Sequence, residues 1–384
     1  MEYRSFTFAA LMTAKSAAAI SSIQIAGENS ADVLKSIFRP LGKIVEFNEG
    51  NILHGFLFDK DKDIDEVVIG CEEKDNFSIN CHGNPLIVEN ILELLKKHGV
   101  RIAEPDAVLA YILHRKYGSN TIAAEADIAM TKAATIYGAK IIRHQTKMGL
   151  LQTAEWWLEN LNVLEPDDIK SGAERILNDS RIADLFIKGA RVVIAGAPNS
   201  GKSTLFNYLC GKDKAIVTDI AGTTRDWLSA KVRLKRITVE FVDTAGLDET
   251  LGGKNAVDAE SQKQAAGLIE TADLVLYVLD SRLRGNDEPR QSVGGANQIV
   301  VYNKCDLAKD LLVDGLKISA KTGSGVKELI GEIEQRLGVY DFDIKKTVCF
   351  TDRQKKITVE IVSARTKQQI KELITELLKG GLVV

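Results

Sequence analysis

The run RVVIAGAPNSGKSTLFNYL, residues 191–209, limits the fold more than any other stretch of the chain. An apolar strand pattern passes into a loop where Gly196, Gly201, Lys202 and Ser203 satisfy G-x-x-x-x-G-K-[ST], and a helical pattern follows. In such a loop successive backbone N–H groups face phosphate oxygens, and the helix N-terminus adds partial positive charge. Lys202 is placed to reach the terminal phosphates, and the Ser203 hydroxyl to sit on Mg²⁺. Asn199, Ser200, Gly201, Lys202, Ser203 and Thr204 therefore form a candidate nucleoside-triphosphate cradle. Strand, tight loop and helix in that order demand an α/β unit.

That unit is embedded in a larger chain. At 384 residues two or three domains are expected. Residues 1–115 mix strand-like runs (ISSIQIAG, EVVIG) with the amphipathic helix PLIVENILELLKKHG, which ends on a glycine cap, and so read as an α+β N-terminal domain. Residues 116–188 turn helical, with Ile128, Ile136, Ile141, Leu150 and Leu151 at helical intervals and Trp156 and Trp157 reading as packing residues. Residues 189–337 alternate strand and helix through RVVIAG, TVEFVDTAG, LVLYVLD, QIVVYNKCD and GLKISA, the pattern of a parallel sheet buried on both faces. Residues 338–384 are helical again, with Ile357, Ile361, Ile370, Leu373, Ile374, Leu377 and Leu378 on one face. The architecture expected is an α/β P-loop GTPase domain inserted into an α-helical domain and preceded by the α+β domain.

NKCD, Asn303 to Asp306, selects among nucleotides. An aspartate carboxylate only accepts, so Asp306 can take two N–H bonds from a guanine edge, whereas adenine offers no matching donor pair. Ser319, Ala320 and Lys321 follow the next strand and complete the base site. VDTAG supplies Asp243 for the Mg²⁺ shell and Gly246, whose N–H can meet the γ-phosphate, with Thr244 and Ala245 between them. GTTRD supplies Thr224 as a mobile Mg²⁺ ligand, following Asp219, Ile220, Ala221, Gly222 and Thr223. The five stations occur in order and describe a GTP-binding switch. Leu247 stands after DTAG where many GTPases place a glutamine to orient water, and leucine cannot do that.

The segments AIVTDIAGTTRD, GAPNSGKSTLFNYL and DTAGL strongly resemble the tRNA modification GTPase family MnmE (also called TrmE), over the whole G domain. The resemblance implies a K⁺-dependent GTPase activated when two G domains meet across their switch regions. The K⁺ ligands it implies are Asn199, Thr218, Ile220 through its carbonyl, and Thr223. A fixed cation there can offset developing phosphate charge. Asn199 also suits a turn on its own account. The family's water-orienting glutamate falls on Asp258, with Glu260 as the fallback; both also suit a solvated helix face. IQIAG, HGNPLI and CFTDRQKKI echo the family's other domains. Three departures bear on its folate and wobble-uridine chemistry. Ala17 stands where an arginine is usual, EEKDNF replaces the S-x-T-G-E segment, and the chain stops at KGGLVV before the terminal cysteine motif.

The partners implied are GTP and GDP, a second copy of the chain, tRNA and a modification partner protein. A regulatory switch in ribosome or metallocluster assembly is the alternative. A net charge of −3 excludes a global nucleic-acid footprint, so any RNA contact must be local. Lys345, Lys346, Arg353, Lys355 and Lys356 form such a cluster, and a solvated helix face explains it as well. Five scattered cysteines without a C-x-x-C pair, the absence of a long apolar run, and a start (MEYRSFTF) with no signal-peptide core point to a reduced, cytoplasmic protein with no membrane span.

Overall fold

The computed structural model describes residues 6–42, 46–211, 228–244, 267–282, 297–307 and 315–380. Two compact units emerge, residues 1–128 with 375–384, and residues 129–374.

In the first unit the strands are β1 (Phe8–Leu11), β2 (Ile20–Ala26), β3 (Phe38–Pro40), β4 (Ile52–Asp59), β5 (Lys62–Glu73), β6 (Asn76–His82) and β7 (Arg101–Ile102). They form one sheet in the order β3-β4-β5-β6-β2-β1-β7. Among the described residues of this sheet, only the β1–β7 pairing is parallel. One face carries Ile23, Ile25, Leu57, Ile69, Phe77 and Ile79, the period-2 positions of their strands, and these are buried with Leu34 of α1 (Ser30–Ile37) and Ile91 and Leu94 of α2 (Pro85–Lys97). α2 is the helix expected from its pattern. Pro85 opens it, the Asn84 side chain accepts from Leu86 N at 2.9 Å, and Gly99 follows its end at φ +83°. Helices α3 (Pro105–Tyr117) and α4 (Thr121–Lys132) come next.

The second unit joins a helical body to an α/β domain. The body contains α5 (Ile136–Gln145), α6 (Leu150–Glu159) and α7 (Pro166–Ile187). The α/β domain contains β8 (Ala190–Gly196), α8 (Lys202–Leu209), β9 (Leu228–Arg233), β10 (Thr238–Asp243), β11 (Leu274–Asp280), β12 (Gln298–Asn303), β13 (Leu316–Lys317) and α9 (Val326–Arg336). Helices α10 (Asp352–Ser363) and α11 (Lys367–Lys379) follow. The sheet order is β13-β12-β11-β8-β10-β9. The five strands expected from apolar runs are all parallel, and Val192, Val193, Ile194, Phe241, Leu276, Val278 and Val301 are fully buried. Two points depart from expectation. β9, with its alternating charged residues, adds an antiparallel edge to the sheet, and GLKISA yields only two residues of strand.

The segment after α9 re-enters the helical body without regular structure, so buried side chains meet its backbone groups. Gln145 Nε2 donates to Ile141 O at 3.1 Å and Lys346 O at 3.0 Å, and its Oε1 accepts from Leu150 N at 2.9 Å and Val348 N at 3.1 Å. Ser180 Oγ accepts from Cys349 N at 2.8 Å, and Gln354 Oε1 accepts from Phe350 N at 2.9 Å. A second tie runs from the β9–β10 turn. The Arg236 guanidinium donates to Tyr340 O, and to Phe342 O at 3.2 Å, and lies over the rings of Tyr137 (5.4 Å) and Phe186 (5.6 Å). Trp157 packs inside against Gly172, whereas Trp156 is 50% exposed and is not the packing residue expected. Ile136 is 61% exposed at the start of α5, so it too lies off the buried stripe.

Replacing Gln145 tests the re-entry. Gln145→Leu keeps the volume but strands the buried Leu150 N and Val348 N, each costing about 1–3 kcal/mol. Urea unfolding followed by circular dichroism should show a loss of at least about 2 kcal/mol. A midpoint and slope equal to the parent's would contradict this role for the amide.

Candidate functional site

The loop between β8 and α8 has a backbone that few sequences allow. Gly196 has φ +146°, and a Cβ there would lie 2.2 Å from Val278 O of β11. Gly201 has φ +95°, and a Cβ there would lie 2.3 Å from Asn303 Nδ2. Asn199 sits in the left-handed region at φ +62°, which asparagine tolerates better than most residues. The Lys202 side chain curls over the loop, its Nζ donating to Gly196 O at 2.9 Å and Ala197 O at 3.1 Å. Ser203 and Thr204 are exposed on the first turn of α8.

Asn303, the last residue of β12, is 2% exposed and joins three segments. Its Nδ2 donates to Ser200 O at 2.9 Å and its Oδ1 accepts from Ala320 N at 2.9 Å. Lys304, left-handed at φ +65°, donates from Nζ to Asn199 O and to Asp280 Oδ2 at 2.8 Å. Asp306 lies in the 3₁₀ turn Cys305–Leu307 with its side chain exposed. Ser319 is buried, its Oγ accepting from Thr322 N at 3.3 Å, and Lys321 is exposed beside it. The open carboxylate of Asp306 can accept hydrogen bonds from an incoming planar edge.

Asp243 is buried at the end of β10, in register with Ile194 of β8, and Thr244 Oγ1 donates to Ile194 O at 2.9 Å. Cys210 closes α8 nearby. Burial, helped by the charge of Asp243, pushes its thiol up to about 11, so it stays protonated at neutral pH and is a poor nucleophile.

The structure thus brings together Asn199, Ser200, Gly201, Asn303, Lys304 and Ala320 by direct contact, while Lys202 lies on the carbonyls of Gly196 and Ala197. Thr218, Asp219, Ile220, Ala221, Gly222, Thr223, Thr224, Ala245, Gly246, Asp258 and Glu260 lie outside the described residues. Two members of the basic cluster are tied to α7: Lys346 to Asp179 at 2.7 Å and Lys355 to Asp184. Asp280 and Arg282, which the motifs do not include, prove to be part of the frame. The available signal was an acidic residue ending the apolar strand LVLYVLD beside the NKCD strand.

A β-strand, a glycine-bent loop closed over by its own lysine, and a helix, with an NKCD turn pinned to the loop, define a P-loop GTPase. The family model described as 50S ribosome-binding GTPase matches residues 191–304, and that described as GTP-binding protein TrmE N-terminus matches residues 7–106. The tRNA modification GTPase MnmE of Thermoanaerobacter sp. (strain X514) is 30% identical over 98% of this chain and 90% of its own length. The protein of the same name from Thermotoga sp. (strain RQ2) is 30% identical over 84% of this chain and 80% of its own. Among solved structures, that of a single-residue variant of Aquifex aeolicus Era bound to GDP and AlF₄⁻ is 28% identical over 38% of this chain and 56% of its own, with a TM-score of 0.31. The chain belongs to the family of the tRNA modification GTPase MnmE. It is a GTP hydrolase.

Gly201 offers a sharp test of the loop. In Gly201→Ala the new methyl must displace the Asn303 amide, and alanine at positive φ costs about 1–2 kcal/mol besides. Fluorescent GDP should bind at least about tenfold more weakly, with far-UV circular dichroism unchanged. Parent-like affinity would show that the close approach is not required.

Proposed function

We propose that this chain is a K⁺-stimulated GTPase that works as a pair of G domains in tRNA wobble-uridine modification. The observation that supports it most is the Asn303 bridge, which fixes the base-side turn against the phosphate loop and leaves Asp306 open at the edge. In this reading Asp306 accepts the guanine N1–H and 2-amino N–H, with Ser319, Ala320 and Lys321 bordering the ring. Lys202 leaves the carbonyls of Gly196 and Ala197 far enough to meet the terminal phosphates, and backbone N–H groups of residues 199–204 take the remaining phosphate oxygens. Mg²⁺ goes with nucleotide in GTPases of this fold. The exposed Ser203 hydroxyl and the buried Asp243 carboxylate are hard oxygen donors, few enough to suit an ion that keeps waters and phosphate oxygens, and Thr224 would join them. When bound, the ion offsets charge on the phosphates.

Asn199 is exposed, with its backbone held by Lys304, so its side-chain oxygen is available to a monovalent cation together with Thr218, Ile220 and Thr223. Leu247 cannot place water, and Asp258, or Glu260 two residues on, is the carboxylate proposed to do so. The tRNA role rests on relatives named for it that match 84–98% of the chain, far more than the G domain alone.

Two measurements test this reading. Asp306→Asn should exchange guanine preference for xanthine, because the amide can donate to the xanthine C2 oxygen. Competition between GTP and XTP reads it directly, and unchanged GTP preference would remove the base-site assignment. Turnover should be faster in KCl than in NaCl and should rise with protein concentration until pairs saturate. Asn199→Gly should abolish the K⁺ response while leaving GDP affinity within about threefold, since glycine keeps the left-handed backbone and only a side-chain cation ligand is lost. Equal turnover in both salts would overturn the cation part of the proposal.

A further inference from the structure

The parallel pairing of β11 with β12 sets Asp280 opposite Asn303. The Asp280 carboxylate is 8% exposed and faces two cations. Arg282 closes on it from the same strand end, with Nε to Oδ1 at 3.0 Å, Nη2 to Oδ2 at 2.6 Å and backbone N to Oδ1 at 3.0 Å. Lys304 reaches it from the next strand, Nζ to Oδ2 at 2.8 Å, and the same ammonium donates to Asn199 O of the phosphate loop. Hydrogen bonding from Arg282, with Lys304 adding to it, holds this carboxyl well below the usual carboxylate range, so it is an anion at any working pH.

We propose that Asp280 is a positioning residue for guanine-nucleotide binding, holding the Lys304 ammonium on the Asn199 carbonyl so that base site and phosphate loop keep a fixed separation. This rests on reading residues 303–306 as the base site. A lysine side chain has four rotatable bonds and loses about 2 kcal/mol of rotamer freedom when fixed. Lys304 additionally leaves the strand in a left-handed backbone conformation. One neutral carbonyl is a weak hold for an ammonium that water would otherwise solvate, and a buried carboxylate is a strong one. The Arg282 contacts run between residues two apart and brace the carboxylate itself. Of the hydrogen bonds to the Asp280 carboxylate, the one that crosses from β11 to the base-side turn comes from Lys304, beside the backbone bond from Ser281 N to Asn303 O at 2.9 Å.

The test is a double-mutant cycle on the full chain with Asp280→Asn and Lys304→Met, read by fluorescent GDP and GTP binding and by steady-state hydrolysis. Asp280→Asn should raise the Kd for both nucleotides about tenfold, the loss of one charge-assisted bond. The change should lie mainly in dissociation, with KM rising alike and kcat moving less than about twofold. The double variant should bind as Lys304→Met does, because Asp280 acts through that lysine. Asp280→Glu should recover most of the affinity by still accepting from Lys304. Independent, multiplying losses would overturn the proposal, as would parent-like binding by Asp280→Asn, and a general loss of packing would produce the first of these. If Lys304→Met itself binds GDP like the parent, the base-site reading fails and takes the proposal with it.

Discussion

The Asn303 amide is the contact on which the rest of the site depends. Its nitrogen can only donate and its oxygen can only accept, so one side chain meets a carbonyl from the phosphate loop and an N–H from the 319–321 loop without ambiguity. The bond to Ser200 O requires the next residue of the loop to carry no side chain, which Gly201 satisfies. β11 and β12 end together, their parallel register placing Asp280 beside Asn303. The residues proposed for base and phosphate therefore lie at the carboxyl ends of the parallel strands, where open α/β sheets bind their ligands. Because Asn303 is buried, its bonds form in a low dielectric and would be costly to leave unmade.

The α/β domain is attached to the helical body by polar contacts as much as by apolar ones. The β9–β10 turn presents Arg236, whose planar fork matches two backbone carbonyls while its faces rest on Tyr137 and Phe186. β10 then runs from that anchor to Asp243 as an uninterrupted strand. The carboxylate that the proposed function gives to the Mg²⁺ shell and the residues of the helical body are thus joined by one extended segment. Farther along the returning chain, Gln145, Ser180 and Gln354 provide the hydrogen bonds that it does not make for itself.

Much of this was legible in residue order. Gly196 and Gly201 mark the loop because few other residues tolerate its backbone, Lys202 because a cation opens the helix after it, and the NKCD turn is visible because it ends an apolar strand. The parallel strands showed as unbroken apolar runs, since both their faces are covered. What escaped notice depends on contacts between distant segments. β9 pairs by one edge and alternates apolar with polar residues, the period-2 mark of a half-covered strand rather than the unbroken apolar run of the parallel ones. Asp280 and Arg282 acquire meaning only through the register of β11 on β12, which no local pattern encodes. The two adjacent tryptophans cannot share one face of a helix, so one had to be exposed, and periodicity alone does not say which.

Isothermal titration of the wild-type chain with GDP and then with ADP, in Mg²⁺ and KCl, probes most directly whether the pinned turn makes a guanine site. GDP should bind at least about a hundredfold more tightly than ADP, because adenine leaves the Asp306 carboxylate without its two donors. Comparable affinities for the two nucleotides would contradict the view that the Asn303 bridge presents Asp306 to the base.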